Sequence, residues 1–532
     1  MRRLILVGIL LFAGLGCSDD EAHNANQGDT GVYEEDDVTP LDGGTDSDTG
    51  GDTGSAEEDV ELDVDIDKGV ADDTGSAEGD VEVDSDVDES DSDVNEEEGC
   101  EPLDEPTFDW VAAPTGSPEG SGTAEDPMDL ATLLSSSGPV TPGDRVLMQA
   151  GTYLGQFTST LSGTADDPIQ FIADPTERVI LDSNIEGDTS GLTIEGEWTE
   201  FYGLEITSSS DVREERVSGV TIYGANTKLV NSVIYDTAQG VSFWTPAVDS
   251  ELYGNIIYNN GYNGPTRGHG HAIYMQNDEG TKRLANNIIF FGYGFGIHAY
   301  TEGGSLRGFD IVDNTWFRTG ASVPGSSVAG TSDGCLVGGL QPVAETELVG
   351  NHSWGPSADA RSTRIGWGGD VQNEDITFLD NYFVGRVGFQ GHWESGTLEG
   401  NSFYGELSGA DPAEYPNNTY SQELPTGSRV VIQPNEYDPR RSDLIIYNWE
   451  ELESISADLS QALEEGQAFE IYSVFDLFGE PVAQGVYEDG DIDIPMDARP
   501  PVQPRADDGA ISGADDPGRL FGVFVLLSGC AD

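Results

Sequence analysis

The sequence predicts an all-β fold: a right-handed parallel β-helix followed by a small antiparallel β-sandwich. Three observations carry that prediction. The first is a phrase repeated seven times: an apolar pair, a small or acidic residue, an Asn, then two or three apolar or aromatic residues. It reads LVNSVIY at 229–235, LYGNIIY at 252–258, LANNIIF at 284–290, IVDNTWF at 311–317, LVGNHSW at 348–354, FLDNYFV at 378–384 and LEGNSFY at 398–404. The ladder position is Ser232, Asn255, Asn287, Asn314, Asn351, Asn381 and Asn401, with steps of 23, 32, 27, 37, 30 and 20 residues. Stacked coils with loops of variable length produce such an irregular period, and each Asn can bond the coils above and below. The second observation is a set of short alternating strands between the phrases, and the third is a switch to longer strands beyond residue 425.

The segment 1–17 reads as a lipoprotein-type signal. Arg2 and Arg3 precede the apolar run LILVGILLFAGLG, which is too short for a stable span and stops at Cys17, the expected lipidation site. Residues 18–99 hold 33 Asp or Glu against one Lys, Lys68, and one aromatic, Tyr33. Such a stretch cannot bury enough apolar surface to fold, and its charges extend it into an acidic tether. Within it, DTGSAEEDVELDVDID at 52–67 recurs as DTGSAEGDVEVDSDVD at 73–88. Glu89 stands where a calcium loop around Asp84 would need Gly, which argues against an EF-hand there.

The β-helix is expected over 100–425, with 105–140 as its N-terminal cap, because an open coil is an unpaired sheet edge. PGDRVLMQAGTY from Pro142 opens the coils, and 426–532 forms the sandwich, read either as a carbohydrate-binding unit or as a lid over the last coil. Residues 100–532 carry 67 acidic and 19 basic residues, a net of −48. That balance excludes nucleic acid, which needs basic patches. Cys100, Cys335 and Cys530 leave one disulfide among three candidates, with no pairing chosen. A monomer is expected.

The second strand set is GVTIYG at 219, GVSFWT at 240, HAIYMQ at 271, GIHAYT at 296, TRIGWG at 363 and RVGFQG at 386. Alternation points Val220, Ile222, Val241, Phe243, Ile273, Met275, Ile297, Ala299, Ile365, Trp367, Val387 and Phe389 inward. Outward come Tyr223, Trp244, Gln276 and Tyr300 in one column, with Ser242, Tyr274 and His298 beside it. His298, Tyr274, Tyr300 and Glu302 are the candidate catalytic residues, since a His and a Tyr side by side could supply a base and an acid. Tyr223, Trp244, Gln276, Lys282, Arg307, Arg364 and Arg386 are the candidate substrate-binding residues. His269, His271, His298 and Glu302 have metal-ligand chemistry but no tight spacing, so no metal is assigned; calcium on groove carboxylates stays open.

The Asn ladder, the PGDRVLMQAGTY opening, the RGHGHAIYMQN and GIHAYTEGG coils and the closing FGVFVLL strand resemble the pectate-lyase-like superfamily of right-handed β-helix proteins. More narrowly they resemble bacterial secreted β-helix repeat proteins with a C-terminal β-sandwich. The resemblance covers about 105–530 and implies the fold, with polysaccharide lyases, hydrolases, epimerases and non-enzymatic surface proteins all in its range. Gln276 stands where chondroitinase-B-like and alginate lyases would place a catalytic Lys, and their later Arg falls near Tyr300. Of the polygalacturonase signatures only Gly268-His269-Gly270 is echoed. No established mechanism therefore transfers, and the fold sets only a substrate class.

The expected function is that of an exported, lipid-anchored protein that binds polysaccharide and cleaves it. It would be tethered through Cys17 to the outer membrane, at the cell surface or in the periplasm of a bacterium. As a lyase it would use His298 or Tyr274 on the C5 proton and Arg364 or Arg386 on the uronate; as a glycoside hydrolase it would use Glu302. A non-catalytic adhesin or spacer is the alternative.

Overall fold

A left-handed corner makes each coil turn. The residue before the ladder position takes positive φ at Asn231 (51°), Gly254 (63°), Asn286 (55°), Asp313 (52°), Gly350 (65°), Asp380 (53°) and Gly400 (71°). Gly, Asn and Asp enter that region most readily, which is why the repeated phrase needs a small, amide or acidic residue there. The structure, a computed structural model, describes residues 107–264, 268–321, 333–497, 499–506 and 517–529. The expected signal and tether, with Cys17, Cys100 and Cys530, lie outside the described residues.

Strands on either side of the corner stack into three parallel sheets of eleven, eleven and ten strands. The first sheet takes strands entering the corner, from Trp110–Ala112 to His392–Glu399; the second takes those leaving it, from Gly151–Leu154 to Thr419–Ser421. The third runs from Phe157–Ser159 to Leu407–Ser408 and contains the alternating strand set. The first sheet thus begins inside the segment expected to be only a cap. The rest of that segment carries a four-residue helix, Leu130–Leu133, capped by the Asp129 side chain, with Leu133 and Leu134 buried in the rod core.

The Asn ladder forms as its phase requires. Asn255 Oδ1 accepts from the Ser232 N–H, Asn287 Oδ1 from the Asn255 N–H, and the pattern continues through Asn314, Asn351, Asn381 and Asn401. Each amide also donates backward across the corner, as Asn287 does to the Leu252 carbonyl at 2.9 Å. The ladder runs one rung further than the repeated phrase, to Asn418, whose Oδ1 accepts from the Asn401 N–H.

The inward residues of the third sheet are buried in one continuous core, with two departures from the simple alternation. A further coil, Cys335–Val337, lies between Ile297–Ala299 and Arg361–Ile365. It buries Cys335 completely as a free thiol, so this residue is not available to the expected disulfide. Trp367 also leaves the inward phase, because Gly366 takes φ 81° and turns the chain, putting the indole outside against Tyr300.

The C-terminal part is a five-stranded antiparallel sheet plus a two-stranded ribbon, Ser454–Asp458 with Asp491–Pro495. It does not lid the last coil. Its sheet lies along the flank of the rod's second sheet, where Tyr235, Tyr258, Phe290 and Phe317 stack outward at 5.0 Å intervals. Ile445 and Tyr447 of the strand Arg441–Asn448 face that aromatic column, while Leu444 and Ile446 face the ribbon. Both faces are covered, so the whole strand is buried.

Candidate functional site

Parallel pairing places Thr221, Ser242, Tyr274, His298, Leu336 and Arg364 in one outer column of the third sheet. Backbone bonds just past the strand ends place Tyr223, Trp244, Gln276 and Tyr300 in the next, one per coil. With coils about 4.8 Å apart, these columns make a shelf several coils long. Tyr223, 42% exposed, lies parallel to Trp244 with centroids 6.5 Å apart, and Trp244 meets Tyr274 edge-on at 5.5 Å. Tyr300 meets Trp367 edge-on at 5.7 Å, and the Arg364 guanidinium lies 4.8 Å from the Trp367 ring centroid.

The polar groups of the shelf are tied together. The Tyr274 hydroxyl donates to the Tyr300 carbonyl at 3.0 Å and accepts from the Gln276 amide at 2.8 Å. Tyr300 in turn donates to the exposed Glu302 carboxylate at 3.2 Å. Such a pair can move a proton, since the carboxylate accepts from the phenol while the phenol oxygen accepts from a substrate.

His298 sits directly beside Tyr274, as the register requires, but it does not stand open in a groove. It is 4% exposed, packed between Phe295 at 4.6 Å, Tyr300 at 5.0 Å and His271 at 4.2 Å between centroids. Bulky aromatics on the neighbouring coil and its own loop close over the imidazole, which the two-fold alternation alone does not reveal. His271 is also buried, and its Nδ1 accepts from the Phe295 N–H at 3.1 Å. His269 lies apart from this pair, stacked on Tyr262 in the small hairpin of Tyr262–Asn263 with Gly268–His269. Among the described residues no three His, Cys, Asp or Glu side chains converge into a metal-sized cluster.

Lys282 departs furthest from its expected place. Its side chain is fully buried, with Nζ donating to the Trp244 and Ala247 carbonyls at 2.8 and 2.6 Å and lying 4.3 Å from the Phe243 ring centroid. Burial pulls its pKa down to about 7, against the pull of Asp249. It braces the turn behind Trp244 from within and cannot reach a ligand on the shelf. Arg307 belongs to the first sheet, where Glu345 binds it at 2.9 Å and holds its pKa up.

Arg364 keeps its place near the shelf but is bound by Asp333, a carboxylate that burial holds above its usual range. Arg386 does not share the Arg364 column. A register shift pairs it with Arg361, and its Nε donates to the Asp359 carbonyl at 2.8 Å. Trp367 and Asp333 are the parts of this surface that sequence reasoning missed. The Gly-Trp-Gly sequence at 366–368 was the available signal for the first, since glycines flanking an aromatic break alternation.

Residues 110–355 match the family described as Pel9A-like, right-handed β-helix region, and the all-parallel sheets agree with that recognition. Pectate lyase L of Thermoclostridium stercorarium is 28% identical over 102 residues, 18% of this chain. The match spans only 8% of that relative's length. Among solved structures, pectate lyase Pel9A is similar at 16% identity, covering 60% of this chain and 81% of its own, with a TM-score of 0.42. An alginate lyase from Paenibacillus sp. str. FPU-7 is similar at 18% identity, covering 55% and 96%, with a TM-score of 0.36.

Proposed function

We propose that this protein binds polysaccharide along the outer face of the third sheet and cleaves it there by β-elimination. The observation that carries the binding is the shelf of Tyr223, Trp244, Tyr274, Tyr300 and Trp367, one on each of five coils in a run of six. Aromatic faces stack on sugar rings, and flanking polar groups such as Gln276 fix their orientation. The Pel9A-like family match supports cleavage of a uronate glycan as the chemistry. With His298 buried, Tyr300 backed by Glu302 is the accessible group for the C5 proton. The electron pair left on C5 forms the C4–C5 double bond as the C4–O bond breaks. The leaving oxygen takes a proton from solvent or from the regenerated phenol. We further propose export, with Cys17 lipidated and residues 18–99 as the tether to an outer membrane.

Binding without turnover is the second reading, favoured by the burial of His298 and Lys282 and the neutralisation of Arg364 by Asp333. Affinity electrophoresis in gels cast with uronic-acid and neutral polysaccharides tests the shelf itself. Wild type is retarded by at least one glycan, and Trp244→Ala or Tyr223→Ala is retarded clearly less by it. Equal retardation of all three proteins, or none in any gel, removes the shelf from the account.

A further inference from the structure

A groove lies between the last coils of the rod and the C-terminal sheet, away from the third-sheet shelf. Its volume is about 540 Å³, and Tyr382, Tyr404, Pro425, Thr426, Ser428 and Arg429 are among its lining residues. Tyr382 and Tyr404 come from adjacent coils of the second sheet, with ring centroids 5.2 Å apart. Arg429 comes from the edge strand Ser428–Pro434 of the five-stranded sheet.

The charge pattern sets Arg429 apart from most of the arginines. In a chain of net charge −78, guanidinium groups are generally claimed by carboxylates: Arg178 by Glu205, Arg283 by Glu436, Arg307 by Glu345 and Arg441 by Asp443. Among the described residues Arg429 meets no carboxylate. It is exposed, and its guanidinium carbon lies 4.7 Å from the Tyr382 ring centroid. Stacking of that kind fixes the plane of the fork and leaves its N–H edges free for a planar anion.

We propose that this groove is a binding subsite for a single uronate residue of an oligosaccharide. Arg429 takes the carboxylate in a two-bond fork, the half-exposed Tyr404 ring supports the pyranose, and the Thr426 and Ser428 hydroxyls take ring hydroxyls. One cation in a strongly acidic surface suits a chain end or a sparsely charged glycan, because each further carboxylate meets the repulsion of the whole protein. The groove would hold an acidic glycan against the rod independently of the shelf.

Calorimetric titration of the full chain tests this with trimers of galacturonate, mannuronate and guluronate, neutral galactotriose, and tetraglutamate as an acidic peptide. In the Trp244→Ala background, which removes the shelf, at least one uronate trimer still binds, and adding Arg429→Gln or Tyr404→Ala weakens that binding about tenfold or more. Arg429→Lys, which keeps the charge without the fork, falls between, and galactotriose does not respond to Arg429→Gln. The proposal is overturned if no trimer's affinity depends on Arg429, or if the dependence is confined to tetraglutamate. Because Trp244→Ala removes the shelf and not the groove, failure here is distinguishable from failure of the shelf.

Discussion

Replacing Asn287 by Ala removes one rung from the middle of the amide ladder. The residue is fully buried, and its side chain makes four hydrogen bonds. Two of its partners keep another bond: Asn255 Nδ2 still donates to the Leu229 carbonyl, and Asn314 Oδ1 still accepts from the Asn287 N–H. The Leu252 carbonyl keeps its backbone bond in the parallel ladder with the next coil, so the Asn255 N–H alone is left buried without a partner. At about 1–3 kcal/mol for an orphaned buried group, the substitution should cost about 2 kcal/mol. Asn418→Ala, at the half-buried last rung, exposes its orphaned groups to water and should cost about 1 kcal/mol. Guanidinium unfolding followed by far-UV circular dichroism reads both. Equal losses from the two variants, or a loss below about 1 kcal/mol for Asn287→Ala, would refute the reasoning that interior rungs hold the coils together.

Other expectations follow from burial. His298→Ala, at a residue packed on both faces, should destabilise the fold by about 2 kcal/mol, measured by the same titration, whereas an exposed His would cost almost nothing. Ile297→Asp should abolish cooperative unfolding altogether, because it buries an unpaired charge in the rod core. For Lys282, burial sets the folded pKa near about 7, against about 10.4 in an unfolded chain. Between those values the unfolded state binds the extra proton, so stability rises with pH across that window, by about 5 kcal/mol at most from this group. Below about pH 7 both states are protonated and the slope vanishes; the wild-type rise should be missing from Lys282→Met, and parallel pH profiles would contradict the assignment. For the proposed anchor, wild type should partition into detergent and label with palmitate, and Cys17→Ser should be recovered in the aqueous phase.

The rod was legible in the sequence because its constraints are local and repeated. A left-handed corner at Gly254 or Asp313, an amide at Asn255 or Asn314 and two inward apolar residues per strand each follow from neighbouring residues alone. The pairing of Tyr274 with His298 followed for the same reason, since two inward Ile residues fix the phase. What covers an outward residue depends on loops, and alternation carries no information about them. Phe295, in the loop before His298, and Tyr300, two residues beyond it, bury the imidazole. Lys282 was misplaced because a loop lysine is ordinarily solvated, and only the Trp244 and Ala247 carbonyls, 38 and 35 residues earlier, make its burial tolerable. The position of the C-terminal sheet was foreshadowed by outward aromatics at Tyr258, Phe290 and Phe317, an apolar column that water would not tolerate uncovered.

The central claim, that the third-sheet shelf takes and cleaves a uronate glycan, is tested most directly by turnover on a panel of uronic-acid and neutral polysaccharides. The reaction is followed both by ultraviolet absorbance of the unsaturated uronate and by new reducing ends. Wild type should raise both signals on at least one uronate polymer, Tyr300→Phe should abolish them while retaining binding, and Trp244→Ala should lose turnover together with binding at the shelf. Reducing ends without the unsaturated product would mean hydrolysis. Silence on every glycan, with binding intact, would contradict cleavage and leave a binding protein without turnover.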